Sequence, residues 1–337
     1  MKKVSVIIPC FNATKYLPKC FMSLVQQTIG IDQIELIFVD DASTDEDATW
    51  NMLQEFERAY PESIMILKLE ENMRQGGARN VALQYATGEY IAFVDADDFV
   101  SENFLLETYE KAKESDADII QFEYFYYTDR LGAVDSSRNI TPEVIEISSV
   151  SDRKKFLISE KVTYGCWNKL YRHDLLKTAH TAYAEHVIYE EPLFVYPLLY
   201  FADKIVILND SYYYYRQNDS GTMRNDMRQE ETLKMHADVQ LAVWNFMKKT
   251  PFFKKYYDEI KLYFLHTYLY ETLYFAKLRD FKPSYSFYKE LEKTVITEVP
   301  DYDESTYSAL IPKQMELYRM IGEGMTEEKF KEYWEQL

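Results

Sequence analysis

The sequence is poor in cysteine. Only Cys10, Cys20 and Cys166 occur among its 337 residues, and no two of them form a Cys-x-x-Cys pair. Structural zinc sites and the disulfide frameworks of small secreted proteins both need more cysteines, at closer spacing. The shortage of closely spaced cysteines therefore excludes a structural zinc site and a disulfide framework. It is typical of a protein from a reducing compartment.

Long apolar runs are also missing. No stretch of about 18 apolar residues occurs, so the sequence predicts no transmembrane helix. The apolar segment 4–9 after Met1-Lys2-Lys3 is short, and no small-residue cleavage site follows it, which predicts no secretory signal. We therefore expect a cytoplasmic protein whose only contact with a membrane would be peripheral, at its inner face.

Basic residues are in deficit. The chain has 38 Lys+Arg against 56 Asp+Glu, for a net charge of -18. Binding to nucleic acid requires a basic surface that displaces counterions, so the balance argues against a nucleic-acid partner, although a local basic patch could still bind a phosphate. A hydrophobic content of 47% is enough for a folded core. Aromatic residues make up 16%, which suits helix packing in the main and sugar-binding surfaces as an alternative.

Four short apolar runs alternate with amphipathic helical patterns in the first hundred residues. The predicted strands are 4–9, 34–39, 64–69 and 90–94, and the predicted helices between them are centred on 17–25, 50–56 and 78–85. This alternation predicts an α/β fold with a doubly wound, mostly parallel sheet. Ligands of such sheets bind beyond the carboxyl ends of the strands, where polar residues follow each run here.

The alternation weakens after residue 100. We predict helices at 104–113, 151–159 and 191–201, strands at 118–127 and 205–208, and an irregular excursion over 128–150. Helical patterns with few glycines dominate beyond residue 228, so we expect a catalytic domain over 1–222 and a C-terminal helical region over 223–337. The apolar segment 260–278 predicts a buried helix of a bundle, with a membrane- or partner-binding face as the alternative.

An acidic cluster follows the fourth predicted strand. Asp95, Asp97 and Asp98 surround Ala96, and on a turn their carboxylates can converge on one divalent ion. Mg²⁺ and Mn²⁺ prefer oxygen ligands. A solvated turn or a helix cap is the alternative interpretation, since aspartate is common in both.

Two further segments follow predicted strands. Asp41 can accept a hydrogen bond from a nucleobase, whereas Ser43 and Thr44 are typical helix caps. The glycine pair in the segment 72–80 allows a ligand to approach the backbone at a helix start, but its spacing fits neither a dinucleotide fingerprint nor a P-loop. Arg79 can either bind phosphate or pair with the acidic cluster.

Two adjacent carboxylates, Glu190 and Glu191, precede a predicted helix. A carboxylate at this place can act as a general base toward a hydroxyl. Glutamate in a first helical turn also complements the helix dipole, and spacing alone favours that interpretation.

Together these motifs resemble those of the family-2 glycosyltransferases of the A-type fold. The resemblance covers roughly residues 1–220 and is specific because the motifs occur in order. The matching segments are residues 4–12, 39–45, 72, 77–80, 86–98 and 166–171.

The resemblance implies an inverting transfer of a sugar from a nucleotide-diphospho-sugar, commonly a UDP-sugar, to the hydroxyl of a carbohydrate or lipid-linked acceptor. It places this reaction in the synthesis of surface polysaccharide or glycoconjugates. It implies that Asp41 recognises the base, that Asp95 approaches the ribose, and that Asp97 ligates Mn²⁺ or Mg²⁺. Glu191 takes the position of the catalytic base, where the family usually has Asp. The remaining expected substrate-binding residues are Pro9, Phe11, Asn12, Arg79, Ala96 and Arg216.

Two other functions compete with this one. A catalytically silent member of the fold that binds a nucleotide or a partner protein is suggested by the Glu at position 191. A nucleotidyltransferase would need a loop rich in glycine and basic residues after the first strand, and residues 10–13 contain neither.

For Arg216, a contact with the diphosphate and a purely structural role are equally compatible with the sequence.

Overall fold

A computed structural model of the chain describes residues 2–136, 140–217 and 230–337. The backbone divides into two units, Met1–Asn218 and Asp219–Leu337. The boundary expected between residues 222 and 223 lies outside the described residues.

Four parallel strands form one half of the sheet in the first unit. In the order β3-β2-β1-β4 they are β3 (Ile64–Lys68), β2 (Ile34–Asp40), β1 (Val4–Cys10) and β4 (Tyr90–Phe93). Every residue of β1 is buried because the strand pairs on both sides, which explains why its sequence is apolar apart from Ser5. The connecting helices are α1 (Leu17–Val25), α2 (Ala48–Ala59) and α3 (Arg74–Leu83). This half confirms the α/β prediction.

The sheet continues beyond β4 with strands of mixed direction. It proceeds through β9 (Lys169–Arg172), β6 (Ile119–Thr128), β10 (Lys204–Arg216) and β5 (Phe99–Val100). β9 is antiparallel to both of its neighbours, whereas β6 and β10 run parallel to each other. The prediction of an irregular excursion over 128–150 is wrong in part, because β7 (Gly132–Asp135) and β8 (Glu143–Glu146) lie there and pair with β6 and β10.

The predicted last strand is longer than its apolar run. β10 covers the predicted 205–208 and continues through the tyrosine run to Arg216, with register irregularities against β6 between Ile207 and Tyr213. The polar break in the sequence therefore marks a bulge and not a strand end. The remaining helices of this unit are α4 (Phe104–Ser115), α5 (Val150–Leu157), α6 (His173–Ala179) and α7 (Glu191–Phe201).

The second unit is helical, as predicted. Its described helices are α8 (Glu230–Lys248), α9 (Tyr257–Phe264), α10 (Thr272–Leu278), α11 (Tyr285–Glu298), α12 (Pro312–Gly322) and α13 (Glu327–Gln336). The segment Leu265–Glu271 joins α9 to α10 as a π-helix, and Ile260, Leu269 and Leu273 are buried along this stretch. Among the described residues, no helix has both the length and the apolarity needed to cross a membrane.

The start of β4 is packed tightly against β1. A Cβ on Gly88 would lie 2.4 Å from the backbone nitrogen of Ser5 and 2.7 Å from the carbonyl carbon of Val4. We expect Gly88→Ala to reduce the free energy of unfolding by about 1–3 kcal/mol, because the backbone of a central strand does not move aside. Urea denaturation of the full chain measures the effect.

The matched control is Gly322→Ala at the end of α12. There the nearest group to an added Cβ is the Tyr302 hydroxyl, at an ordinary contact distance of 3.5 Å. Alanine favours helix over glycine, so this change should be neutral or slightly stabilising. Equal losses in the two variants would contradict the packing argument.

Candidate functional site

The loops after β1 and β2 are joined by hydrogen bonds at the carboxyl edge of the sheet. The backbone nitrogen of Asn12 donates to the Ser43 hydroxyl at 3.0 Å, and the Asn12 side-chain oxygen accepts from the nitrogen of Thr44 at 2.8 Å. The adjacent Phe11 is 47% exposed, whereas Pro9 is buried in β1. The two loops are therefore held together at the edge where these parallel strands end.

Asp41 lies at the same edge and is buried. Its Oδ1 accepts a hydrogen bond from the backbone nitrogen of Met73 at 2.7 Å, and its carbonyl oxygen accepts from the Asn72 side chain at 3.2 Å. Burial raises the pKa of the Asp41 carboxyl, and the backbone donors of Met73 and Arg74 oppose that rise. The contacts fix Asp41 against the start of α3.

The three aspartates of the acidic cluster have different surroundings. Asp98 is buried, accepting from the Tyr213 hydroxyl at 2.7 Å and from the backbone nitrogen of Arg216 at 2.6 Å. Burial, followed by the charges of Asp97 and Asp95, raises the pKa of Asp98 well above its usual range. Asp98 therefore attaches the turn after β4 to β10.

Arg79 is the central cation of the site. The residue is 2% exposed, and its guanidinium donates to Asp95 Oδ1 at 2.7 Å and to Glu190 Oε1 at 2.6 Å. The ring of Tyr183 lies 5.2 Å from the guanidinium carbon. The ion pair with the acidic cluster, one of the two roles that the sequence allows, is present, and substrate binding by Arg79 remains a prediction.

The segment 180–190 lies against α3. Asn80 donates to the Tyr183 carbonyl at 3.0 Å and accepts from the Tyr183 nitrogen at 2.8 Å. A Cβ on Gly76 would lie 2.2 Å from the Ala184 carbonyl oxygen, so only glycine permits this approach. The contacts of Glu190 with Arg79 and of Asn80 with Tyr183 were not predicted, because no local sequence pattern indicates contacts across a hundred residues.

Glu191 is half-buried at the start of α7. Its Oε1 accepts a hydrogen bond from the backbone nitrogen of Cys166 at 2.9 Å. Burial is the main cause that raises the pKa of Glu191 to about 7, and the charge of Glu190 adds to it, while Arg79 opposes the rise. A carboxyl with this pKa can accept a proton near neutral pH.

Arg216 is buried and its side chain contacts protein groups. It donates from Nε to the Asp97 carbonyl oxygen at 2.7 Å and from Nη1 to Asp129 at 2.5 Å. The rings of Tyr16 and Tyr127 lie 4.6 and 5.0 Å from its guanidinium carbon. These contacts show how Arg216 supports the acidic turn, and a contact with diphosphate remains a prediction.

The acidic cluster fits a metal ion that a substrate helps to hold. Among the described residues, no group of three or more His, Cys, Asp or Glu side chains is placed to hold a metal alone. Asp95 pairs with Arg79 and Asp98 is held by β10, whereas Asp97 is only partly buried. Mg²⁺ commonly binds one or two carboxylates together with substrate phosphates, and this donor set suits that arrangement.

The comparison with protein families decides the identity. The sequence model of the family described as glycosyl transferase family 2 matches residues 5–179, just over half of the chain. The chain belongs to glycosyl transferase family 2. It is a glycosyltransferase, and the matched range contains the acidic cluster and Arg79 but ends before Glu191.

Curated relatives agree with this family. Glycosyltransferase GlyG of Streptococcus pneumoniae serotype 4 is 30% identical over 233 residues, which cover 66% of this chain and 73% of the relative. The poly(ribitol-phosphate) beta-glucosyltransferase of Bacillus spizizenii is 29% identical over 63% of this chain. The match covers only 32% of that second relative, so this chain is similar to about a third of a longer enzyme.

Solved structures share the fold. The structure of S. aureus TarS 1–349 in complex with UDP-GlcNAc superimposes with a TM-score of 0.73 at 22% identity, covering 98% of this chain and 89% of that one. The mannosyltransferase PcManGT from Pyrobaculum calidifontis, in complex with GDP-Man and Mn²⁺, has a TM-score of 0.52 at 14% identity, covering 95% and 85%. At these identities the likeness shows the A-type fold.

The burial of Arg79 between two carboxylates predicts a large effect on stability. We expect Arg79→Met to reduce the free energy of unfolding by about 3–5 kcal/mol, because it leaves the buried Glu190 charge without a partner. The double variant with Glu190→Gln should recover part of the loss, since the uncompensated charge is then removed. Urea denaturation at neutral pH measures both.

Arg319→Met is the control. Arg319 pairs with Glu323 on the surface of α12, where both side chains are more than half exposed. Exposed pairs of this kind contribute about 0.5 kcal/mol or less. An equally small loss in Arg79→Met would show that the buried ion pairs do not stabilise the first unit.

Proposed function

We propose that this glycosyltransferase inverts the anomeric centre of a UDP-sugar, with a divalent metal at Asp97 and Glu191 as the base. The observation that carries the proposal is the position of Glu191. Its carboxyl has a pKa near 7 and lies next to Glu190, which Arg79 links directly to Asp95 of the acidic cluster. An acceptor hydroxyl between Glu191 and the cluster would thus meet a proton acceptor beside the leaving group.

The donor would lie along the carboxyl ends of β2, β1 and β4. Asp41 would accept a hydrogen bond from the base, Asp95 would approach the ribose, and the Asn12 loop would border the nucleotide. A divalent ion at Asp97 would offset the negative charge that develops on the departing diphosphate. Backbone contacts already hold Asp41 and Asp98 in place, so these residues need little rearrangement on binding.

The chemical step is a displacement at the anomeric carbon. The acceptor oxygen attacks from the face opposite UDP, its bond to carbon forms as the bond to the diphosphate oxygen breaks, and Glu191 takes the hydroxyl proton. The product has the inverted configuration and UDP leaves with the bonding electron pair. Glu at position 191 performs the same proton transfer as the usual Asp, from one methylene further away.

The relatives support the substrate class. Two of them are named as poly(ribitol-phosphate) transferases, for glucosyl and N-acetylglucosaminyl groups, and the TarS structure contains UDP-GlcNAc. We propose a UDP-hexose or UDP-N-acetylhexosamine donor, and a glycan or lipid-linked acceptor of the teichoic-acid or surface-polysaccharide type. Synthesis would take place at the cytoplasmic face of the membrane, with peripheral contact.

Donor binding should depend on metal. UDP with Mn²⁺ is expected to raise the melting temperature of the full chain, and a chelator should cancel the metal-dependent part of the rise. Asp97→Ala should remove that part and lower the rate of UDP release from a turned-over UDP-sugar by on the order of 10²–10³-fold. Differential scanning fluorimetry and a coupled assay for UDP provide the two readouts.

Asp174→Ala is the matched control, because Asp174 is an exposed partner of Lys177 on α6. It should bind UDP and turn over donor as the unchanged protein does. Tight UDP binding without turnover of any donor would support the catalytically silent alternative. The absence of a thermal shift with every nucleotide would contradict donor binding itself.

The activity should rise with pH through about 7. A general base works when deprotonated, and the pKa of Glu191 is raised to about 7, so kcat/KM is expected to increase as pH passes that value and then level off. Glu191→Gln should abolish transfer. Glu190→Gln removes a charge that raises the pKa of Glu191, so it should move the rise to lower pH.

The pH profile also separates the two carboxylates. An acidic limb that persists unchanged in Glu191→Gln would show that another group titrates and would exclude Glu191 as the base. Glu190→Gln also loses an Arg79 partner, so its melting temperature is measured alongside, and the profile is recorded well below it.

A further inference from the structure

A group of aromatic side chains lies beside Glu191. The rings of Trp167 and Tyr215 are stacked on each other, with centroids 5.3 Å apart and an angle of 7° between their planes. The ring of Tyr126 is T-shaped to that of Tyr215, with centroids 6.2 Å apart, and Tyr126 is 41% exposed. Trp167 and Tyr215 are each partly exposed as well. We name Trp167, Tyr215 and Tyr126 the aromatic platform.

The strand register explains why these side chains meet. Tyr215 of β10 pairs with Tyr126 of β6, and Tyr213 pairs with Tyr124 two residues earlier. Because successive side chains of a strand alternate, these four tyrosines share one face of the sheet, while Tyr214 stacks on Phe125 and Phe99 elsewhere. Trp167, in the segment before β9, covers the shared face.

The platform borders the catalytic groups directly. Trp167 follows Cys166, whose backbone nitrogen donates to Glu191 at 2.9 Å. The ring centroids of Trp167 and Tyr213 are 4.7 Å apart, and the Tyr213 hydroxyl donates to Asp98 at 2.7 Å. Trp167 is therefore next in sequence to the residue that binds Glu191, and its ring is next to the tyrosine that binds Asp98.

Tyr215 gives an independent indication of the same place. Burial raises the pKa of its hydroxyl, and the charges of Asp98, Asp95, Asp97 and Glu191 all raise it further. The hydroxyl is thus within electrostatic reach of both the acidic cluster and the base.

The topology separates the platform from the nucleotide side. Asp41 follows β2, whereas Tyr126 and Tyr215 belong to β6 and β10, and the strands β1, β4 and β9 lie between them. With the nucleotide on the β2 side, the platform is left to the other substrate. Glu191, which must contact the attacking hydroxyl, is on the platform side through Cys166.

The chemistry of the platform suits a sugar ring. Aromatic faces offer an apolar surface to the C–H face of a pyranose, and phenol and indole groups offer hydrogen bonds to its hydroxyls. The indole nitrogen of Trp167 donates to no group within the described ranges 2–136, 140–217 and 230–337, and it is not among the buried unpaired atoms. An unbranched polyol chain has no such flat face.

We propose that Trp167, with Tyr215 and Tyr126, binds a pyranose ring of the acceptor and directs one of its hydroxyls to Glu191. This inference rests on the proposed function, in which Glu191 is the base. It assigns a glycan acceptor with a terminal pyranose, and it makes Trp167 a determinant of acceptor specificity.

The test uses the full chain with the best UDP-sugar donor and two acceptor probes, methyl β-glucoside and a chitooligosaccharide. Trp167→Ala should raise the KM for acceptor by about 3- to 10-fold, the effect of one lost aromatic contact, and raise it more than the KM for donor. Trp167→Phe retains a flat ring and should recover most of the affinity. A rise confined to the donor KM, or no change in the acceptor KM, overturns the proposal.

Tyr85→Ala is the matched control. Tyr85 is a 48% exposed tyrosine that follows α3, in the turn that leads to the amino end of β4, and it belongs to no part of the site. Its variant should leave both KM values unchanged. Melting temperatures of all three variants exclude unfolding as the cause.

Saturation-transfer NMR without donor tests the platform apart from turnover. Methyl β-glucoside should give a signal with the unchanged protein and with Tyr85→Ala, and a weaker one with Trp167→Ala. That result supports the platform even if no donor is turned over, in which case the proposed function fails alone. Equal signals in all variants, or a signal from ribitol phosphate and none from the pyranosides, overturn the assignment.

Discussion

The structure of the site depends on one buried cation. Arg79 joins Asp95, at the end of β4, to Glu190, at the start of α7, with contacts of 2.7 and 2.6 Å. These two carboxylates are 95 residues apart in the sequence, one after strand β4 and the other before helix α7. A planar guanidinium can satisfy both at once, which a lysine ammonium cannot do in the same geometry. The burial of the charge is tolerated because both partners are fixed.

The same interaction divides the roles of two adjacent glutamates. Glu190 faces Arg79 and its charge is compensated, whereas Glu191 faces a backbone nitrogen and has a raised pKa. The acidic cluster shows a similar division, since Asp98 is buried and holds the turn, whereas Asp97, the proposed metal ligand, is only partly buried. In both motifs, structural carboxylates stand directly beside those proposed to act on substrate, and the structural members limit how far the others can move.

Much of the first unit could be predicted because its signals are local. Runs such as that of β1 are apolar apart from Ser5, and the polar residues that end them mark the ligand edge of a parallel sheet. Short strands in polar surroundings, such as β9, give no such signal. The pairing of Arg79 with Glu190 spans 111 residues and has no local pattern at all. Glu191 was identified only through family resemblance, since its spacing suits an ordinary helix start equally well and its burial is a property of the folded chain.

The close packing at Gly76 has a consequence for homologous sequences. The 2.2 Å between its missing Cβ and the Ala184 carbonyl oxygen means that a single methyl group would separate α3 from the segment that carries Glu190. A homologue with a larger residue at the corresponding position must arrange that segment differently, and its base with it. Gly76 is therefore a marker by which homologous sequences can be sorted. Those with glycine at this position can pack the Glu190 segment against α3 as this chain does, and those without it need another geometry.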